Sequence, residues 1–118
     1  MTNSTDDRAA LIRTLNDQFR TTLDESLGKL CLAYPVYKLP GEKLHCLVAL
    51  VSNLDDFTED NDAYDEHDCA FVELDGQTYM FKIDYCDPEY KGLSQYPESP
   101  ALSRRLLTIF AVEKPEHE

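Results

Sequence analysis

No lysine or arginine occurs in the 38 residues between Lys43 and Lys82. A segment so short of cations is a poor partner for a phosphate backbone or an anionic membrane surface. Glycine is scarce, with four in 118 residues. Phosphate-cradling glycine loops, dinucleotide fingerprints and serine nucleophile elbows are all missing. The longest apolar run, Cys46 to Val51, falls far short of the roughly 20 residues that span a bilayer. The start, MTNSTDDRAA, lacks the basic-then-apolar order of an export signal. These absences lead us to expect a soluble cytoplasmic protein. Close cysteine pairs are missing too. Cys31, Cys46, Cys69 and Cys86 are separated by 15, 23 and 17 positions. They read as reduced, buried, small apolar residues rather than as a zinc site.

What is present is acid. The same 38 residues hold ten carboxylates, and eight of them fall in the 14-residue run DDFTEDNDAYDEHD, Asp55 to Asp68. The whole chain has a formal charge of -12, so this third of it supplies most of the imbalance. Such a concentration makes a local field that repels nucleic acid and attracts cations or basic proteins. Hydrophobic residues at 42% and twelve aromatics, seven Tyr and five Phe, are enough for a core. The chain is therefore one folded domain rather than a disordered tail, with residues 1–5 and 113–118 expected to fray.

Periodicity predicts the layout. Ala9, Ile12, Leu15, Phe19 and Leu23 recur at helical spacing over residues 6–23, with Leu11 widening the stripe. Residues 29–37 (KLCLAYPVY) read as a strand, with Pro35 at an edge or bulge. Residues 42–54 fit both a helix and a strand, and their length favours a helix. Residues 69–74 and 77–85 flank Asp75-Gly76, a two-residue hairpin signal. The second arm places Tyr79, Phe81, Ile83 and Tyr85 on one face and Met80, Lys82 and Asp84 on the other. Residues 86–100 form a long loop, and 106–112 (LLTIFAV) a final buried strand. The expected fold class is α+β: an antiparallel sheet of about four strands with two helices packed on one face.

DDFTEDNDAYDEHD, then FKIDYCD, framed by RAALIRTLNDQFR and RRLLTIFAVE, resembles a family of small bacterial proteins. That family is defined only as a domain of unknown function, and its members read close to DDFTEDNDP, EHD and WKIDYYD. Here Ala63 stands for the proline, Phe81 for the tryptophan and Cys86 for the second tyrosine. The resemblance runs from about Arg8 to Val112. It implies a compact domain in a plasmid or phage-derived context and supplies no established activity.

Three chemistries compete for the acidic run. A calcium loop needs alternate oxygen ligands, a glycine at the sixth position and an acid at the twelfth. Starting at Asp56 puts Asn61 and His67 at those two positions, and starting at Asp60 puts Tyr64 at a ligand position. No EF-hand register works, which leaves a looser cation site, or a small metal-dependent enzyme, centred on Asp60, Asp62, Glu66 and His67. The leading expectation is nucleic-acid mimicry, in which carboxylates replace phosphates spaced about 3.4 Å along a strand. The partner-binding residues would be Asp55, Asp56, Glu59, Asp60, Asp62, Tyr64, Asp65, Glu66 and Asp68. The expected partner is a basic protein surface, on a nuclease or an RNA-guided complex, with no direct nucleic-acid or membrane contact, no cofactor and no catalytic residue. The protein would then be a non-enzymatic anti-CRISPR or anti-restriction inhibitor. The third reading is a solvated face that keeps the protein soluble. Phe57, Asn61, Tyr64 and His67, interleaved with the acids, point instead to an ordered loop with buried anchors. The arginines of the first helix, Arg8, Arg13 and Arg20, with Arg104 and Arg105, either pair internally with that loop or lie on a solvated face.

Overall fold

A computed structural model describes residues 4–57 and 66–112. Helix α1 (Ser4–Thr22) leads through a turn to strand β1 (Gly28–Leu32) and a single 3₁₀ turn at Val36–Lys38. Helix α2 (Gly41–Asn53), strand β2 (Cys69–Leu74), strand β3 (Gln77–Cys86) and strand β4 (Arg104–Ala111) follow. The architecture is α+β, with two helices and a four-stranded sheet in the order β1-β4-β3-β2. β2, β3 and β4 pair antiparallel, as the hairpin signal implies. β1 joins the far edge parallel to β4, so the sheet is mixed rather than wholly antiparallel. A chain that passes from an edge strand through α2 and the hairpin returns to that edge from the same end, which sets the parallel pair.

The ambiguous segment resolves as helix α2. Leu47 and Val51 are buried one turn apart, and Pro40 precedes the helix where its missing N–H costs nothing. The hairpin turns at Asp75 and Gly76, with φ values of 52° and 79°, the left-handed pair that a type I′ turn requires. One face of the sheet supplies the core. Ala70, Val72, Tyr79, Phe81, Ile83, Leu107 and Ile109 are buried there against Phe19, Val36, Leu47 and Val51.

Other expectations change. The first strand stops at Leu32, before the cis Tyr34-Pro35 bond, because proline has no N–H to continue the ladder. The last strand starts two residues early, at Arg104. Leu11 is exposed, whereas Ile12, Asn16, Phe19 and Arg20 form the buried side of α1. The predicted stripe holds at Ile12 and Phe19, and two polar side chains share its buried side. The cysteines are not core residues either. Cys31 and Cys46 are exposed and Cys69 and Cys86 half-buried, with no disulfide between any two. Burial and the nearby Asp84 and Asp87 push the Cys86 thiol above its ordinary pKa.

Gly28 opens β1 where two backbones meet closely. A Cβ there would collide with the Arg105 carbonyl oxygen and approach the Arg105 Cβ to 2.9 Å. Arg105 N–H donates to Leu27 O at 2.8 Å across the same gap. Gly28→Ala is expected to cost about 1–3 kcal/mol through forced separation of β1 from β4, measured as a lower denaturant midpoint. An unchanged midpoint would show that the edge pair carries no such constraint.

Candidate functional site: the neck of the acidic loop

Within the acidic run the structure describes Asp55 to Phe57 and Glu66 to Asp68. Of the acids named above, Asp55, Asp56, Glu66 and Asp68 lie among the described residues. Glu59, Asp60, Asp62, Tyr64 and Asp65 lie outside them, as does Asn61. Asp55 and Asp56 are exposed, and Glu66 and Asp68 are half-buried. Phe57 and His67, one near each end of the run, stack face to face at 4.0 Å between ring centroids and 5° between planes. The two ends of the run are therefore in contact.

Side chains of α1 hold that contact. Arg20, 3% exposed, donates from Nη1 to the carbonyls of Val51 at 2.8 Å, Ser52 at 3.2 Å and Leu54 at 2.7 Å. Val51 and Ser52 lie in the last turn of α2 and Leu54 caps it, so the guanidinium supplies donors where helical N–H groups run out and opposes the negative end of that helix dipole. Nη2 of Arg20 donates to Asp17 Oδ1 at 3.1 Å. The guanidinium carbon lies 5.1 Å from the Phe57 ring centre and 5.9 Å from that of Phe81, within cation–π range. Asp17 in turn faces His67 Nδ1 at 2.9 and 3.0 Å. A carboxylate only accepts, so Nδ1 carries the hydrogen. His67 has φ 56°, a left-handed conformation that costs a non-glycine residue roughly 1–2 kcal/mol. Stacking and the Asp17 contact hold it there.

Asn16, one turn earlier and fully buried, holds Glu66. Its Nδ2 donates to the Glu66 backbone carbonyl and to the Tyr85 hydroxyl oxygen, each at 2.9 Å. Tyr85 donates to Glu66 Oε1 at 2.6 Å. Asn16 Oδ1 accepts from Arg105 Nε at 2.8 Å, and Arg105 also donates to Ser103 Oγ at 2.9 Å and to the Pro97 carbonyl. Arg105 is 1% exposed. Burial lowers its pKa from the ordinary arginine value, and Tyr85 and Glu66 act against that shift. The loop after β3 supplies the Pro97 acceptor. Asp87 shapes the start of that loop by accepting the N–H groups of Glu89 and Lys91. The Lys91 N–H holds the Asp87 carboxyl below its usual pKa more than any other contact.

A family model described as Protein of unknown function (DUF3768) matches residues 32–114. The chain belongs to that family. No curated protein and no solved structure matches it. The DUF3768 match contains Phe57, Glu66, His67, Tyr85 and Arg105. Asn16, Asp17 and Arg20 precede it, so three of these eight clamp residues come from a helix outside the matched segment.

The sequence pointed to the acids and to Phe57 and His67 as anchors, and missed the polar side chains that hold them. Tyr85 reads as a core residue from its strand face, yet its hydroxyl joins a polar chain. Asn16 and Arg20 carry the missed signal: both sit at helical spacing from Ile12 and Phe19, on an otherwise apolar side. Arg8 pairs with Glu98 at 3.1 Å and Lys82 with Asp84 at 3.5 Å. The latter is the outer-face pair its strand position implies, and both are surface contacts of small worth. Among the described residues no cluster of three or more His, Cys, Asp or Glu has metal-holding geometry.

Arg20→Met keeps bulk and removes the donors. It is expected to cost about 2–4 kcal/mol, because three carbonyls and Asp17 lose their partner. Arg20→Lys restores only part, since an ammonium cannot fork to the same acceptors. Denaturant unfolding of the three proteins measures both. The Tyr85 phenol has its pKa raised well above 10, by burial first and then by its bond to Glu66. Its contribution is complete below the unfolded value near 10 and is lost as pH rises above that, because the unfolded chain ionises first. Tyr85→Phe is thus expected to cost about 1 kcal/mol at pH 7. It should also flatten the fall of the melting midpoint between about pH 9.5 and 11. Parallel pH curves for the two proteins would contradict this.

Proposed function

We propose that the protein is a non-enzymatic binding module that presents its acidic loop to a basic surface of a nucleic-acid-handling complex. The observation that carries this reading is the clamp at the loop's neck. Two of the eleven basic side chains, Arg20 and Arg105, are buried in that clamp. Arg20 pairs with Asp17 and Arg105 binds neutral acceptors, so two cations are withdrawn from the outer surface, which is left more acidic. A loop kept only for solubility needs no such fixation, since dispersed surface charge serves as well. A fixed neck lowers the entropy lost on binding, which favours a loop that must meet a partner.

The motif's resemblance to proteins found on plasmids and in phage-derived regions directs the proposal toward anti-defence. The partner would be a host-defence nuclease or an RNA-guided surveillance complex whose nucleic-acid groove is basic. Carboxylates would stand in for phosphates, and steering by charge would speed encounter and weaken with salt.

The test compares wild type with a variant in which Asp55, Asp56, Glu59, Asp60 and Asp62 are amides. Both are used to capture a purified candidate nuclease or RNA-guided complex at about 0.05 and 0.5 M salt. Wild type is expected to bind at least about tenfold more tightly at low salt, with the difference collapsing at high salt. Equal binding by the variant overturns the proposal. A melting midpoint raised by calcium or magnesium in wild type and not in the variant would favour the cation site on Asp60, Asp62, Glu66 and His67 instead.

A further inference from the structure

The sheet ends at β2, and the hydrogen-bond phase of the hairpin fixes which groups point outward. The two-residue turn makes Leu74 and Gln77 a bonded pair, and pairs then alternate along an antiparallel ladder. Ile83 N–H donating to Asp68 O at 2.7 Å lies in that same phase. The even-numbered residues of β2 therefore bond to β3, and the N–H and C=O groups of Phe71 and Glu73 point to the outer edge. Among the described residues no strand pairs with that edge. The register is continuous from Cys69 to Leu74, so no bulge turns the edge away, and no proline blocks it. Natural edges are normally protected by such devices.

Beside this edge runs a cleft of about 480 Å³, lined by Cys46, Ala49 and Leu50 of α2 together with Leu74 and Asp55. Leu50 is 40% exposed and Phe71 48%, one on each side of the edge. The geometry points to a strand-addition site: an extended peptide segment pairs with Phe71 and Glu73 and sets alternate apolar side chains into the α2 cleft. Side chains of the opposite parity lie beside Phe71 and Glu73 on the open face of the sheet. Charge selects the occupant. Glu73 is exposed on the open face, beside the second set of side chains, Asp55 at the cleft adds to the negative field, and Lys43 of α2 is engaged with Asp75 at 3.4 Å. The peptide is therefore basic and apolar in alternation, offered by another protein. A second copy of this chain fits poorly, since pairing β2 with β2 would juxtapose two chains of charge -12. This site deepens the proposed function by naming the form in which a basic partner is held, and it rests on that reading for the partner's sign of charge.

The test uses a fluorescein-labelled seven-residue peptide alternating valine and lysine, titrated into the full chain and read by anisotropy. Four comparisons accompany it: the peptide N-methylated along one backbone edge, the peptide with glutamate for lysine, the protein carrying Phe71→Pro, and the five-amide variant. Proline at Phe71 removes an outward N–H and leaves the β2–β3 bonds intact, which a melting curve checks. Saturable binding that methylation and Phe71→Pro each weaken at least about tenfold, and that the glutamate peptide lacks, is the expected result. Equal binding of methylated and unmethylated peptides overturns the edge site and leaves the acidic-surface proposal standing, because charge alone then accounts for capture. Tight binding that persists in the five-amide variant and is lost on methylation supports the edge site while counting against the acidic run. Dimerisation through β2 that the peptide does not displace overturns the basic-peptide assignment.

Discussion

A guanidinium taken out of water must find acceptors, and in this fold Arg20 finds them at the end of α2. The three carbonyls it binds belong to the last turn and the cap of the helix that leads directly into the acidic run. One buried side chain therefore closes the C-terminus of α2, fixes the angle at which the chain leaves it, and carries the Phe57 ring on its face. Without that cation the end of α2 would need water. The first residues of the run would then have no fixed direction. Removing one partner of such a contact costs more than the contact is worth in isolation, because the orphaned groups stay buried.

The return end of the run is governed from the other side of the fold. β4 brings Arg105 and β3 brings Tyr85 into the same register pair, and Asn16 joins both to Glu66. Each group in this chain has a distinct donor and acceptor role, so the network tolerates few substitutions. Asp17 and His67 link it to the Arg20 half through one turn of α1. The sheet and both helices thus meet at the neck of a loop whose composition is otherwise the most polar in the protein. Local strain at His67 sits where the constraints converge, as expected of a conformation that the surroundings over-determine.

Much of the architecture was legible in the sequence. The Asp75-Gly76 turn set the hairpin and its register, and the length of residues 42–54 favoured helix over strand. What the sequence did not disclose depends on contacts between distant segments. The parallel pairing of β1 with β4 has no local signature. The five-residue β1 is cut short by a proline whose effect on the strand's length shows only in three dimensions. In α1 the apolar spacing marks Ile12 and Phe19, which are buried, but it also draws in Leu11, which is exposed, and passes over Asn16 and Arg20. A polar residue at a buried helical position is the available clue, and it becomes convincing only when its partners, 50 to 89 residues away, are known. The acidic run itself was plain, whereas its fixation at both ends was not.

The Phe57–His67 contact and its α1 supports hold the two ends of the acidic run together in solution. Nuclear Overhauser contacts between the ring protons of Phe57 and His67 are the measurement to make. With centroids 4.0 Å apart, strong cross-peaks and upfield ring-current shifts of the imidazole resonances are expected in the wild-type chain. An imidazole resonating at the position of a free histidine, with no cross-peak to Phe57, would contradict it.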